Sequence, residues 1–421
     1  MYAELAGETL SFICVNPCSS VAFPKAEFRR ALTTWYHKHG RDLPWRHTRD
    51  PYAILVSEFM LQQTQVAAVI PYYHQWLRGF PDFASLAHAC ENDVLRAWQG
   101  LGYYVRARNL HATATAVVDR YRGRFPRSVE QMQDLPGIGK YTAQAVASFA
   151  FDQPTPIVEA NTARVLTRLF DFRKHIDSGA ARKMLWRYAA VLVPNSSTRV
   201  YNSALIDLGA LVCVAHEPKC AICPVKKFCS AKNQQLLPVR KSPAPTKRLI
   251  EKHAFVLRRG KIVLEQSSSR WRGMWILPPL KPGSCRQSSL QHPVYTAIFP
   301  FTHHRVTLRV YRLRLCEVAT NRHRWFPLRS LDSIPIASPH CRALRALTAA
   351  VQNDNRMVGI TPAARSLAYL ACAHARRFSD PKQRRDRARS GERGADRHDE
   401  SKSGYKRFVD HPTDQLLCAG V

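Results

Sequence analysis

Cys213, Cys220, Cys223 and Cys229 fall within seventeen residues, spaced C-x6-C-x2-C-x5-C. Four thiols so close along a chain tie the segment to a loop wrapped on a metal centre. Two centres take four thiolates. A [4Fe–4S] cubane suits this run, since each connecting loop can reach the next corner yet is too short to leave it. Zinc also accepts four cysteines, but zinc sites usually pair their ligands as two C-x2-C knuckles, and this run has one. The other eight cysteines are scattered. A secreted disulfide framework is therefore not the reading.

The surrounding chain is patterned for helices. Apolar residues recur at three- and four-residue spacing in Phe28–Tyr36, Ile54–Val69, Val94–Trp98 and Leu110–Tyr121, with Pro44, Pro51, Pro81, Gly100, Gly102, Pro126 and Pro136 in the gaps. This predicts an all-helical domain over residues 25–230. Residues 231–252 carry Pro238, Pro243 and Pro245 among Lys, Arg, Ser and Gln, and read as a linker. The period then shifts towards two in His253–Arg258, Ile262–Glu265 and Val306–Leu315, and a helix is expected near Cys341–Val351. Residues 253–355 thus read as a smaller α+β domain. Residues 356–421, rich in Arg, Asp, Ser and Gly, read as a disordered basic tail. Residues 1–24 remain unassigned.

The formal net charge is +32. Residues 361–421 hold thirteen Lys/Arg against eight Asp/Glu, so most of the excess lies on the parts expected to fold. A polyanion is the expected partner, nucleic acid first. No run of 18 or more apolar residues exists, and the first twenty residues carry Glu4 and Glu8 without a basic start, which points away from a membrane and towards the cytoplasm.

Leu135-Pro136-Gly137-Ile138-Gly139-Lys140-Tyr141 precedes a helical run, Thr142–Phe149. Gly137 and Gly139 permit a tight turn whose amides, with Lys140 beside them, face outward at a helix N-terminus, where a DNA phosphate can sit. Such contacts fix register without reading sequence.

The cysteine spacing, with this hairpin about seventy residues upstream, resembles the endonuclease III superfamily of helix–hairpin–helix DNA glycosylases. Four further segments resemble its MutY-type adenine glycosylases in order and spacing: Leu43-Pro44-Trp45-Arg46, Ser57-Glu58-Phe59-Met60-Leu61-Gln62-Gln63-Thr64-Gln65-Val66, Gly100-Leu101-Gly102-Tyr103-Tyr104 and Ile157-Val158-Glu159-Ala160-Asn161. The resemblance implies a [4Fe–4S] cluster on the four cysteines. It implies that Glu58 is the acid that protonates adenine, and that the residue at Glu159 stabilises or traps the sugar cation. Adenine leaves poorly until N7 is protonated, so the acid must stay neutral at pH 7, as a desolvated carboxyl does. A second, ionised carboxylate parallels the pair used in glycoside hydrolysis. Tyr141 and Asn161 would orient that carboxylate and the sugar. Trp45, Arg46 and Ser203 would line the adenine pocket, and Gln62 or Gln63 with Tyr103 would wedge into the stack beside the extruded base.

The chain departs from the family at three points. Glu159 stands where the family has aspartate, Ala160 where glycine is common, and Ser203 where glutamate or glutamine is frequent. Strand-cleaving members carry a Schiff-base lysine at position 141. Tyr141 there implies a monofunctional enzyme.

Trp271-Arg272-Gly273-Met274-Trp275-Ile276-Leu277-Pro278 resembles the start of the family's Nudix-like domain, without the glutamate-rich hydrolase box. Phe301-Thr302-His303 matches its Phe-Ser-His hairpin, which implies recognition of 8-oxoguanine, with the Thr302 hydroxyl in the serine's place. The expected protein is a monomeric multi-domain adenine glycosylase. It pairs an all-α domain bearing the cluster loop with an α+β Nudix-like domain, and acts on double-stranded DNA with adenine opposite 8-oxoguanine or guanine, in the cytoplasm at the nucleoid. An endonuclease III-like pyrimidine glycosylase/lyase and a lesion-binding protein without excision are the alternatives.

Overall fold

The structure, a computed structural model, describes residues 23–242, 245–280, 292–313 and 323–358. Helices run from α1 (Lys25–His39) through α2 (Pro51–Leu61), α3 (Val66–Gly79), α4 (Phe83–His88), α5 (Glu91–Ala97), α6 (Val105–Tyr121), α7 (Val129–Gln133), α8 (Lys140–Phe151), α9 (Ala160–Leu169), α10 (Gly179–Leu192) and α11 (Thr198–Asp207). Their starts follow the chemistry of orphan amides. Asp50 caps α2, accepting from the amides of Tyr52 (3.0 Å) and Ala53 (3.2 Å), with Pro51 at the first helical position, where no amide hydrogen is needed.

Two apolar cores organise these helices. One is built on α2, α3, α6 and α8, with Leu55, Val56, Trp76, Trp98 and Val146 fully enclosed. The second gathers α1, α9, α10 and α11 around Phe28, Leu166, Leu192 and Leu208. Phe23, just before α1, packs edge-on against Phe28. A π-helical turn, Leu208–Val212, then leads into the cysteine loop.

The remaining chain forms two small sheets and one helix. In the first sheet, of order β1-β6-β5, β1 (Lys247–Phe255) runs parallel to β6 (His304–Arg312), and β5 (Tyr295–Phe301) antiparallel to it. In the second, β3 (Lys261–Gln266) pairs antiparallel with β2 (Leu257–Arg258), β4 (Trp275–Ile276) and β7 (His323–Pro327). Phe299, Val306, Leu308 and Val310 join α12 (Ser338–Val358) through Leu344 and Leu347, in the same apolar cluster as α2 and α6. Polar contacts reinforce the junction: Tyr104 Oη lies 3.0 Å from Ser338 Oγ, and Arg108 donates to the Arg272 carbonyl at 2.7 Å. Among the described residues no helix is long and apolar enough to cross a membrane.

Three expectations change. The apolar run Ile54–Val69 is two helices, because Arg106 takes the carbonyls of Phe59, Met60 and Gln62 that a continuing helix would offer to its own amides. The linker ends earlier than residue 252, since Lys247–Lys252 already belong to β1. That strand lies at a sheet edge and is largely exposed over Lys247–Lys252, so it lacks the apolar alternation of a half-buried strand. The C-terminal helix starts at Ser338 and reaches Val358, into the stretch expected to be tail. Residues 1–22 and 359–421 lie outside the described residues.

Candidate active site

Two carboxyls, one on α2 and one at the start of α9, lie close enough for the charge of one to act on the other. Glu58 sits on the last turns of α2, 6% exposed, in a helix whose residues Tyr52 to Met60 are all buried. Burial pushes its carboxyl up to about 7; a hydrogen bond from Tyr141 at the start of α8 opposes this, and the nearby charge of Glu159 adds to it. A carboxylic acid poised near neutrality is the form that donates a proton at physiological pH.

Glu159 is the N-cap of α9. Its Oε1 accepts from the Thr162 amide at 2.8 Å and its Oε2 from the Asn161 amide at 2.9 Å, while Thr162 Oγ1 accepts from the Glu159 amide at 2.8 Å. The side chain thus curls back onto the helix start. Burial raises this carboxyl above the usual range. The two amides, the Arg164 charge and the Asn161 side chain pull it back.

The support continues to the cysteine loop. Asn161 Nδ2 donates to Glu159 Oε2 at 3.1 Å, and Asn161 Oδ1 accepts from Arg164 Nη2 at 2.8 Å. Arg164 also donates to the carbonyls of Gly209 and Cys213, both at 2.8 Å. Gly209 is required there, because a Cβ would stand 2.7 Å from that of Asn161.

Cys213, Cys220, Cys223 and Cys229 are free thiols, each half-buried. Burial pushes Cys223 up to about 11, and the other three thiols act on it in the same direction. Arg168, 1% exposed, donates to Cys213 Sγ at 3.3 Å and to the carbonyls of Val214 (2.7 Å) and Ala215 (3.0 Å). Among the described residues no three or more His, Cys, Asp or Glu form a group that could hold a metal ion.

The expected pocket residues divide. Trp45 is buried edge-on against Tyr73 at 5.4 Å. Arg46 is committed to Asp207, its Nη1 and Nη2 reaching the two carboxylate oxygens at 2.6 and 2.7 Å, with Arg41 sharing that carboxylate. Ser203 is buried on α11 beside Asn202, whose amide donates to Ser148 Oγ. Gln62 and Gln63 form the turn after α2. Tyr103, 37% exposed, stands in the turn before α6. Gln63 and Tyr103 both adopt left-handed backbone, with φ of 54° and 45°.

The turn from Leu135 to Gly139 joins α7 to α8. Gly137 has φ +74°, and a Cβ there would meet Asn109 at 2.5 Å. Gly139 caps α8 without a side-chain partner, and Lys140 lies over the Trp186 ring at 4.5 Å. Phe301, Thr302 and His303 form the tight end of the β5–β6 hairpin, with Thr302 and His303 exposed and the Arg270 guanidinium 4.3 Å from the Phe301 ring. Sequence patterns missed Arg106, Arg164 and Asp207. Their one signal is a charged residue inside an apolar helical run.

Residues 56–190 match the HhH-GPD superfamily of base excision DNA repair proteins. An adenine DNA glycosylase of Mycobacterium tuberculosis (strain CDC 1551 / Oshkosh) is 40% identical over 212 residues, covering 50% of this chain and 70% of that protein. One from Buchnera aphidicola subsp. Baizongia pistaciae is 42% identical over 205 residues, covering 48% of this chain and 58% of the relative. The adenine DNA glycosylase of Mus musculus is 42% identical over 253 residues, covering 58% of this chain and 49% of the mouse protein. The chain therefore spans from just under half to just under three fifths of these last two relatives.

Proposed function

The chain belongs to the adenine DNA glycosylases of the HhH-GPD superfamily, and we propose that it hydrolyses the N-glycosidic bond of adenine mispaired with 8-oxoguanine or guanine in double-stranded DNA. The observation that carries this reading is the buried Glu58 carboxyl, hydrogen-bonded to Tyr141 and facing Glu159. Neutral Glu58 gives its proton to adenine N7, which turns the base into a leaving group. The glycosidic electron pair leaves with adenine, and the Glu159 carboxylate stabilises or captures the sugar cation. Water completes the exchange and yields an abasic site. Tyr141 and Asn161 hold the two carboxylates in their roles. With Tyr141 in place of an amine, the strand is left intact.

Gly137, Gly139 and Lys140 take a phosphate at the open start of α8. Trp45, Arg46 and Ser203 bound the adenine pocket, with Arg46 acting from its ion pair. Gln62 or Gln63, together with Tyr103, enters the stack. The β5–β6 hairpin, through Phe301, Thr302 and His303, reads the opposite base as a Nudix-like domain would. Cys213, Cys220, Cys223 and Cys229 would hold a [4Fe–4S] cluster. What supports this is the chemistry of the donor set, four free half-buried thiols with the buried Arg168 guanidinium on Cys213 Sγ, although as they stand they form no ready-made group for a single metal ion. Bound there, the cluster supplies a scaffold for the loop. Its presence is checked by iron content and absorption near 400 nm, roughly where thiolate-bound clusters absorb; stoichiometric zinc in a colourless protein contradicts it. In this reading the protein acts in the cytoplasm, as a monomer on chromosomal DNA.

The test is single-turnover incubation with an adenine:8-oxoguanine duplex, followed by alkali. Wild type should leave an alkali-labile abasic site, and Glu58→Gln should not. Tight binding with intact adenine would mean a lesion-binding protein. Strand cleavage without alkali, on a duplex with a damaged pyrimidine, would mean a glycosylase/lyase.

A further inference from the structure

Arg106, on the first turn of α6, is 5% exposed, and among the described residues no carboxylate is its hydrogen-bond partner. Its guanidinium instead joins two separate turns. Nη1 donates to the carbonyls of Phe59 (2.9 Å), Met60 (3.0 Å) and Gln62 (2.5 Å), at the end of α2. Nη2 donates to Thr64 Oγ1 (3.2 Å) in that same turn, and to the carbonyls of Leu101 (3.1 Å) and Gly102 (3.3 Å) in the turn before α6. The guanidinium carbon also lies 5.4 Å from the Trp98 ring centre and 5.7 Å from that of Tyr103.

Each turn holds one strained residue, Gln63 with φ 54° and Tyr103 with φ 45°. Non-glycine residues keep left-handed backbone only where their surroundings hold them to it. Here one cation bonds the carbonyl just before each of them, that of Gln62 and that of Gly102. What an apolar residue cannot do is bond carbonyls on both sides, and a guanidinium does so through its rigid planar fork.

We propose that Arg106 is a positioning residue that fixes Gln63 and Tyr103 at one separation, so that both enter the DNA stack together and share the work of extruding the target base. This rests on the reading of the chain as an adenine glycosylase. Tyr104, next to one wedge, reaches Ser338 of α12. The same turn is thereby tied to the part of the chain that carries the β5–β6 hairpin.

The consequence is selective. Arg106 matters when a stacked base must be extruded and little when it is already unstacked. The test compares single-turnover rates on two substrates: an adenine:8-oxoguanine duplex, and the same pair flanked by mismatches that leave the adenine unstacked. Arg106→Lys keeps the charge and loses the fork. It should slow the duplex reaction roughly 10- to 100-fold and the mismatch-flanked reaction only a few-fold. In a cycle with Gln63→Ala/Tyr103→Ala, adding Arg106→Lys should cost less than about threefold more on the duplex, since the residues act as one unit. Thr64→Val deletes one acceptor without touching the core, and should show the same selectivity at smaller size. It serves where the Arg106 variant fails to fold.

Equal slowing of both substrates, or independent losses in the cycle, overturns the proposal. Failure of wild type to release adenine from either substrate overturns the glycosylase reading instead.

Discussion

Glu58→Gln separates the stability of this fold from its chemistry. Burial raises the Glu58 carboxyl from 4.5 to about 7, so the folded chain binds that proton more tightly than the unfolded one. The sign follows. Below pH 4.5 the group is protonated in both states and carries no penalty. As pH rises from 4.5 to about 7, the unfolded carboxyl ionises first and folding loses free energy. A shift of this size corresponds to about 3 kcal/mol once the pH passes 7. Glutamine keeps the shape, can accept from Tyr141, and has no proton to lose. At pH 8 Glu58→Gln should therefore be the more stable protein by up to about 3 kcal/mol, roughly 3–5 °C in melting temperature for a protein of this size. At pH 4.5 the two should melt together. The same substitution removes the proposed acid, so single-turnover adenine release should fall by roughly 100-fold or more. Thermal unfolding of both proteins from pH 4.5 to 8, followed by circular dichroism, reads the difference. A variant destabilised equally at every pH would refute the argument that desolvation sets the acidity of Glu58.

Four further substitutions test the support around Glu159 and Arg46. Glu159→Asp keeps an N-cap acceptor for the Thr162 amide and should hold single-turnover rate within about tenfold, whereas Glu159→Gln, losing the charge, should drop it roughly 100-fold or more. Gly209→Ala drives a Cβ to within 2.7 Å of Asn161, and should cost roughly 1–3 kcal/mol in urea unfolding and lower the rate through Asn161. Asp207→Asn leaves Arg41 and Arg46 without their buried carboxylate, which the guanidinium bonds of Arg46 hold below the ordinary range against the effect of burial. It should cost roughly 3–5 kcal/mol by the same measurement.

What the sequence made legible was local. Glu58 stood out among the apolar Val56, Phe59 and Met60, whereas Glu159 was marked only by its place in a segment that resembles the family's. The hairpin before α8 was equally plain, since two glycines and a proline mark a turn wherever they fall. What stayed hidden was long-range. Asp207 meets Arg46 across 161 residues of chain. The break after Leu61 depends on Arg106, more than forty residues away, competing for carbonyls. Strand β1 becomes a strand because β6 offers it a parallel edge, and its exposed charged residues carry no trace of that pairing. Periodicity reports which residues avoid water. It does not report which carbonyl a distant guanidinium will take.

The central claim is that adenine leaves because a neutral Glu58 protonates it, and the pH dependence of the single-turnover rate tests this most directly. With saturating enzyme on an adenine:8-oxoguanine duplex, the rate should be highest where Glu58 is protonated. It should fall about tenfold per pH unit well above the acid's pKa of about 7. A rate that stays level from pH 6 to 9, or no abasic product at any pH, would contradict it.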